Sequence, residues 1–182
     1  MSIGNTFSGP GGAVRPIDPD PPAEVIGISN PLGNRGPGTG EQFYLAGRFS
    51  RKEEFQSYAS KIKLRDSTAE VVSTWLWSEQ DSGSQSGDFT FEDAVKFCLQ
   101  DVRDVLRCTS LLFFSENPLS IPEGESPSLG GKDTELGIGI ASTGVRLFCV
   151  GPRVNVFHYH PSIVQFNTFD DWLNFEFKGK TY

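Results

Sequence analysis

The chain has 182 residues, of which 37% are hydrophobic, and a net charge of −7; this length suits one globular domain plus an appendage. No cluster of Lys and Arg is available to neutralise a run of phosphates, which excludes a long DNA or RNA as the expected partner, whereas one nucleotide phosphate needs only one or two cations or a helix N-terminus. No apolar run approaches 18 residues and no basic-plus-apolar leader is present, so neither a membrane span nor secretion is expected.

Residues 1–41 are rich in Gly and Pro and poor in large apolar side chains, as in "GPGGAVRPIDPDPPAE". Such a segment cannot bury enough apolar area to offset its ordering entropy, and it reads as an irregular arm. The folded domain is expected over 42–182. "QFYLAGRF" (42–49) predicts a buried strand closed by a turn at Gly47. "SRKEEFQSYASKIK" (50–63) predicts a helix, with Ser50 and Glu53 as a capping box and Phe55, Tyr58, Ala59 and Ile62 at helical spacing. "AEVVSTWLW" (69–77) is β-branched and aromatic and predicts a second strand, followed by a polar loop over 78–88.

A second helix is predicted in "FTFEDAVKFCLQDVRDVLRC" (89–108), capped by Thr90, with Ala94, Phe97, Cys98, Val102, Val105 and Leu106 on its apolar face and Arg103 and Asp104 toward solvent. "TSLLFF" (109–114), apolar throughout, predicts a central parallel strand. A long Pro/Gly/Ser loop (115–132) follows, of a length that is often functional. In "GGKDTELGIGIASTG" the Gly130–Gly131 turn precedes a helix expected to start near Glu135, capped by Asp133 or Thr134. "VRLFCVG" (145–151) predicts a fourth strand, "NVFHYHPSIVQF" a fifth short one, and "TFDDWLNFEF" (168–177) a closing helix capped by Thr168. This alternation points to an α/β doubly wound parallel sheet of about five strands, flavodoxin- or Rossmann-like, with helices on both faces.

Cys98, Cys108 and Cys149, odd in number and widely spaced in apolar contexts, read as buried thiols of a reducing, cytoplasmic compartment. Ligands of open parallel sheets bind beyond the carboxyl ends of the strands. That rim would carry Gly47–Ser50, Trp75–Trp77, the 115–131 loop, Gly151–Arg153 and Glu135. A carboxylate in the first turn of a helix has its charged form favoured by the dipole, which makes Glu135 a candidate base or nucleophile or a plain helix-stabilising acid. Asp101 falls within or beside the apolar stripe of its helix, where an unpaired charge is costly; beside Glu135 one of the two pKa values would rise. Tyr44 reads as a core aromatic or a site residue. Arg48, Ser50 and Arg51 form either an anion site or solvated cations. Trp75 is core, rim or a stacking platform. His158 and His160 read as loop or surface histidines, no metal cluster is evident, and no cofactor motif occurs.

"YLAGRFSRKEE", "DVRDVLRCTSLLFFSENP" and "GGKDTELGIGIASTGVRLFCVGP", in that order, resemble the nucleoside 2-deoxyribosyltransferase family from about Phe43 to the C-terminus. The resemblance implies that Glu135 is the nucleophile, that Asp101 protonates or holds the base or positions the sugar, and that Tyr44 orients Glu135. It implies an N-glycosidic bond cleaved as in a retaining glycosidase, a nucleoside or nucleotide as small-molecule substrate, and no cofactor or metal. Substrate contacts are expected from Gly47, Arg48, Ser50, Trp75, Glu116, Gly131 and Asp133, and the acid from among Glu116, Glu123, Glu125 and Asp133. It also implies a homo-oligomer in which Tyr182 of a neighbour approaches the site. Many members carry aspartate where this chain has Thr109. Base exchange, hydrolysis of a nucleoside 5′-monophosphate and non-catalytic nucleotide binding all remain open at this point.

Overall fold

The computed structural model describes residues 40–78, 90–121, 123 and 130–179. Five strands, β1 (Gln42–Ala46), β2 (Glu70–Val71), β3 (Ser110–Phe114), β4 (Arg146–Val150) and β5 (Ile163–Phe166), form one sheet in the order β2-β1-β3-β4-β5. Every pairing is parallel. Between them run α1 (Lys52–Arg65), α2 (Phe91–Arg107) and α3 (Gly131–Ala141), and α4 (Phe169–Glu176) closes the chain. This is the expected doubly wound α/β fold.

The strands are apolar on both faces because both are covered. Phe43, Leu45, Leu112, Phe114 and Phe148 pack with Phe55, Ile62, Phe169 and Trp172 from α1 and α4. Tyr44, Ala46, Leu111, Phe113 and Leu147 pack on the other face with Val105 of α2 and Leu136 of α3. Chain order reverses between β1 and β3: β2 lies on one side of β1 and β3 on the other. A crevice at the carboxyl ends of these two strands is the binding position that this topology provides.

The expected second strand stops early. Leu45 N–H donates to Ser73 Oγ at 2.6 Å, and Trp75 Nε1 donates to Leu45 O at 3.1 Å. Side chains thus take the β1 groups that a longer β2 would have paired, and residues 74–77 form a 3₁₀ turn. That turn is tied to α2: Thr74 donates to the Asp104 carboxylate through its hydroxyl and, at 2.9 Å, through its N–H. Asp104, expected toward solvent, is therefore buried, with Arg107 Nε 3.3 Å away. Conversely Ala94, Cys98 and Leu106 are exposed rather than on the buried face, so Cys98 is not a buried thiol.

Two helix starts also differ from expectation. The Ser50–Glu53 capping box is replaced by a 3₁₀ turn over Phe49–Arg51, with Arg51 N–H on Arg48 O at 3.0 Å; the N-cap of α1 is Arg51, whose side chain makes no cap bond. α3 begins at Gly131, with Gly130 as N-cap at φ 95°, a left-handed conformation suited to glycine. Thr90 and Thr168 cap α2 and α4 as expected, Thr168 in a capping box with Asp171.

At the amino ends of the strands, Arg146 Nη2 bonds Glu41 at 2.6 Å and Glu176 at 2.7 Å. Glu41 thus belongs to the fold rather than to the arm, and residues 1–39 lie outside the described part. Thr109 is also at this end, its hydroxyl accepting from Gln42 N–H at 2.9 Å.

A Cβ on Gly47 would lie 2.1 Å from the Phe55 ring, whereas one on Gly137 would meet nothing within 4 Å. Gly47→Ala should cost about 1–3 kcal/mol by overpacking, while Gly137→Ala, inside α3, should gain about 0.5–1 kcal/mol; denaturant midpoints measure both.

Candidate active site

Strand alternation decides what Tyr44 meets. Phe43 and Leu45 face α1 and α4, so Tyr44 faces α2 and α3. It is fully buried, and its hydroxyl donates to Glu135 Oε1 at 2.8 Å. The bond joins β1 to α3 across 91 residues of sequence. Asp101, on the flank of α2 toward this pair, acts electrostatically on both partners. Tyr44, Asp101 and Glu135 are thereby brought together beside the β1/β3 reversal.

The electrostatics overturn one expectation. Because α3 starts at Gly131, Asp133 is in its first turn and Glu135 is one residue beyond it. The dipole effect falls off within that turn, and desolvation outweighs it. Burial raises the Glu135 carboxyl from 4.5 to about 8, the Tyr44 bond opposes the rise, and Asp101 and Asp133 add to it. In the ligand-free protein at neutral pH Glu135 is mostly protonated rather than a bare anion. Burial, then Asp104, raises Asp101 to about 6. Between these values Asp101 is ionised while Glu135 holds a proton, a separation of neighbouring carboxyls suited to proton handling. Tyr44 itself is raised well above its usual range, by burial and then by Glu135, so it remains a hydrogen-bond donor.

The rim residues are ordered by one acid. Glu116, just after β3, pairs with Arg48 Nε at 3.0 Å and with Arg51 Nη1. Arg51 also grips Glu54, through Nε at 2.6 Å and Nη2 at 2.7 Å. Arg48 is buried and Arg51 half-buried, so neither is a freely solvated cation. The two arginines and Glu116 line a cavity of about 400 Å³ with Asn117, Ser120, Ile121 and Pro152. Glu116 is committed to this pairing, while Asp133 is the acid from the loop and turn whose charge reaches Glu135. Glu123 is exposed in a turn. Glu125 and Tyr182 lie outside the described residues.

The remaining expected contacts divide. Trp75 spends its indole N–H on Leu45 O and packs against Phe49 and Phe55. Gly47 leaves room for the Phe55 ring, which a Cβ there would meet. Ser50 is exposed in the 3₁₀ turn. Gly131 opens α3 with free space where a Cβ would stand, so the turn depends on Gly130.

Two residues near the site were not anticipated. Lys132 is buried, its Nζ 3.2 Å from Phe114 O and 4.7 Å from the centre of the Phe113 ring, and burial lowers its pKa. His158, expected on the surface, is fully buried edge-on to Phe113. Its Nδ1 accepts from Val154 N–H at 3.2 Å, which assigns the proton to Nε2, 3.7 Å from Asp133 Oδ1. Asp133 also accepts from Asn155 Nδ2 at 3.1 Å. The apolar neighbours Val154, Val156 and Phe157 are themselves exposed, so the local sequence carried no signal for this burial; His160 is exposed as expected. A larger cavity of about 540 Å³ lies by α1 and β2, lined by Ile62, Leu64, Val71 and Trp77 among others, and contains none of these site residues. Among the described residues, no group of three or more His, Cys, Asp or Glu is placed to hold a metal, and no helix is long and apolar enough to cross a membrane.

No protein-family model and no curated protein matches the chain. Among solved structures it is similar to that of the Clostridium botulinum CMP N-glycosidase BcmB, at 15% identity and a TM-score of 0.44, over 75% of this chain and 98% of that one. This is a distant likeness. The class defined by the chain's own coordinates is a doubly wound α/β protein in which a buried tyrosine bonds a half-buried carboxyl beside the topological switch point.

A carboxyl whose folded pKa is raised stabilises the fold fully below its unfolded pKa, and that contribution is lost as pH rises through the folded value. Glu135→Gln removes the titration. Relative to the wild type, the variant should therefore gain stability from about pH 4.5 to about pH 8, by at most ~1.4 kcal/mol per pH unit, with no further gain above. Denaturant unfolding across that range tests it.

Proposed function

We propose that this protein cleaves the N-glycosidic bond of a nucleoside or nucleotide, with Glu135 as nucleophile. The observation that carries this reading is the Tyr44–Glu135 hydrogen bond, 2.8 Å long, with Asp101 beside it at the strand-order reversal. Tyr44 holds Oε1 and leaves Oε2 to meet the sugar. The ionised carboxylate attacks the anomeric carbon, a C–O bond forms as the C–N bond breaks, and the bonding pair leaves with the base. The departing nitrogen takes a proton. That proton comes from solvent water, and Glu135 reacts only in the fraction of molecules in which it is ionised. The developing positive charge on the sugar then stabilises the carboxylate, in the manner of retaining glycosidases. The glutamyl ester is resolved when the nitrogen of a second base attacks the same carbon and loses its proton, or when water does so.

Hydrolysis of a nucleoside monophosphate is the second reading, and Arg48 with Arg51 at the rim favours it. Their present partner is Glu116, so a substrate phosphate would compete with that carboxylate for the two guanidinium groups.

Incubation of a deoxynucleoside, and separately its 5′-monophosphate, with and without a second free base distinguishes the readings. A new nucleoside indicates transfer, and free sugar or sugar phosphate indicates hydrolysis. No turnover of either, with binding unchanged in Glu135→Ala, contradicts both. In the active case kcat/KM should rise with pH through about 8 as Glu135 ionises. Tyr44→Phe removes a bond that lowers the Glu135 pKa, so the midpoint should move alkaline and the rate at neutral pH should drop about tenfold per unit moved.

A further inference from the structure

We propose that residues 25–28 of this same chain, Val-Ile-Gly-Ile, dock as an antiparallel edge strand on β2 and fill the groove between β2 and α1. The groove has a volume of about 540 Å³ and is lined by Ile62, Lys63 and Leu64 of α1, by Ala69 and Val71, and by Trp77. Leu64 is 82% and Trp77 57% exposed, so large apolar side chains stand open at its mouth. β2 is also an outer strand of the sheet. Glu70 and Val72 give their N–H groups to Glu41 O and Phe43 O, each at 2.8 Å. Val71, between them, therefore directs its N–H away from β1 and toward the open edge. An apolar groove beside edge backbone groups fits an extended segment, which brings side chains and a backbone ladder together.

The point of entry of the chain identifies the occupant. Gly40 packs directly on the turn before β2: a Cβ there would lie 1.9 Å from Thr68 O. The chain thus joins the fold beside Ala69, at the amino end of the groove, with residues 1–39 ahead of it. Within 1–39, Val25 and Ile26 are the only adjacent pair of large apolar residues; Ile28 follows, and Pro22 and Pro31 bound the run. Residues 25–34 carry no charge, so docking the run would bury none. In an extended segment Ile26 and Ile28 share one face, which can meet the α1 side, where Ala69 and Val71 pack. Residues 29–39 reach about 36 Å when extended, ample for the return to Gly40. Because Gly40 stands at the amino end of β1, a segment that finishes nearby runs opposite to β2. An antiparallel edge strand on an otherwise parallel sheet is a common arrangement. This inference is independent of the proposed chemistry.

The test is amide hydrogen exchange of the full chain, followed by NMR at a high and a low protein concentration. The Val71 N–H should exchange at least about tenfold more slowly than in an unstructured chain. Ile26→Asp and Ile28→Asp should each remove most of that protection. Ser8→Asp, the same charge change outside the run, should leave it unchanged. Phe113, in the covered centre of the sheet, should stay protected in every variant and so report an intact fold. A freely exchanging Val71 in the wild type overturns the proposal. So does protection that survives both Ile26→Asp and Ile28→Asp, since another group then covers the edge, or protection lost equally in Ser8→Asp. Protection that disappears on dilution also overturns it, because the strand then comes from another molecule.

Discussion

The site depends on one carboxyl group being partly withdrawn from water and met by a phenol. Burial acts against the charged form of Glu135, and the Tyr44 hydroxyl compensates only in part. Such an arrangement needs support on each side. β1 must be fully covered so that Tyr44 has no alternative partner. α3 must start early enough to carry its fifth residue over that strand. Gly130 supplies the left-handed residue that lets the chain turn into α3, and Leu136 next to Glu135 anchors the helix on the sheet. The Asp104 bonds to Thr74 hold α2 against the turn that caps β1, and α2 in turn carries Asp101 to the same place.

Around this centre the charges are shared rather than surplus. Two arginines at the rim are balanced by Glu116 and Glu54, and the charge of the buried Lys132 acts to lower the pKa of Glu135. Paired groups in partly buried positions are costly to leave alone once a partner is removed. A ligand anion at the rim would therefore exchange with Glu116 rather than fill a vacant site.

Much of the fold was legible in the residues. Strand runs such as "SLLFF" are apolar at every position because both faces are covered, and Thr90 and Thr168 mark helix starts by a local mechanism that sequence carries directly. The errors arose where a distant group decides the outcome. β2 is short because Ser73 and Trp75 bond Leu45, 28 and 30 residues away. Asp104 is buried because Thr74 supplies donors that helical periodicity cannot register. The cluster of Tyr44, Asp101 and Glu135 could be nominated from spacing and from the family resemblance, but the protonation state of Glu135 could not. It follows from desolvation, which depends on packing, and packing reversed the sign expected from the helix dipole alone. His158 illustrates the same limit: a loop histidine becomes a core residue once β3 presents Phe113 to it.

The most direct test of this account is a pH titration of the Glu135 carboxyl carbon by ¹³C NMR, assigned by the signal lost in Glu135→Gln. The account predicts a midpoint of about 8 in the ligand-free protein. A midpoint near 4.5, the ordinary value for an exposed glutamate, would contradict it.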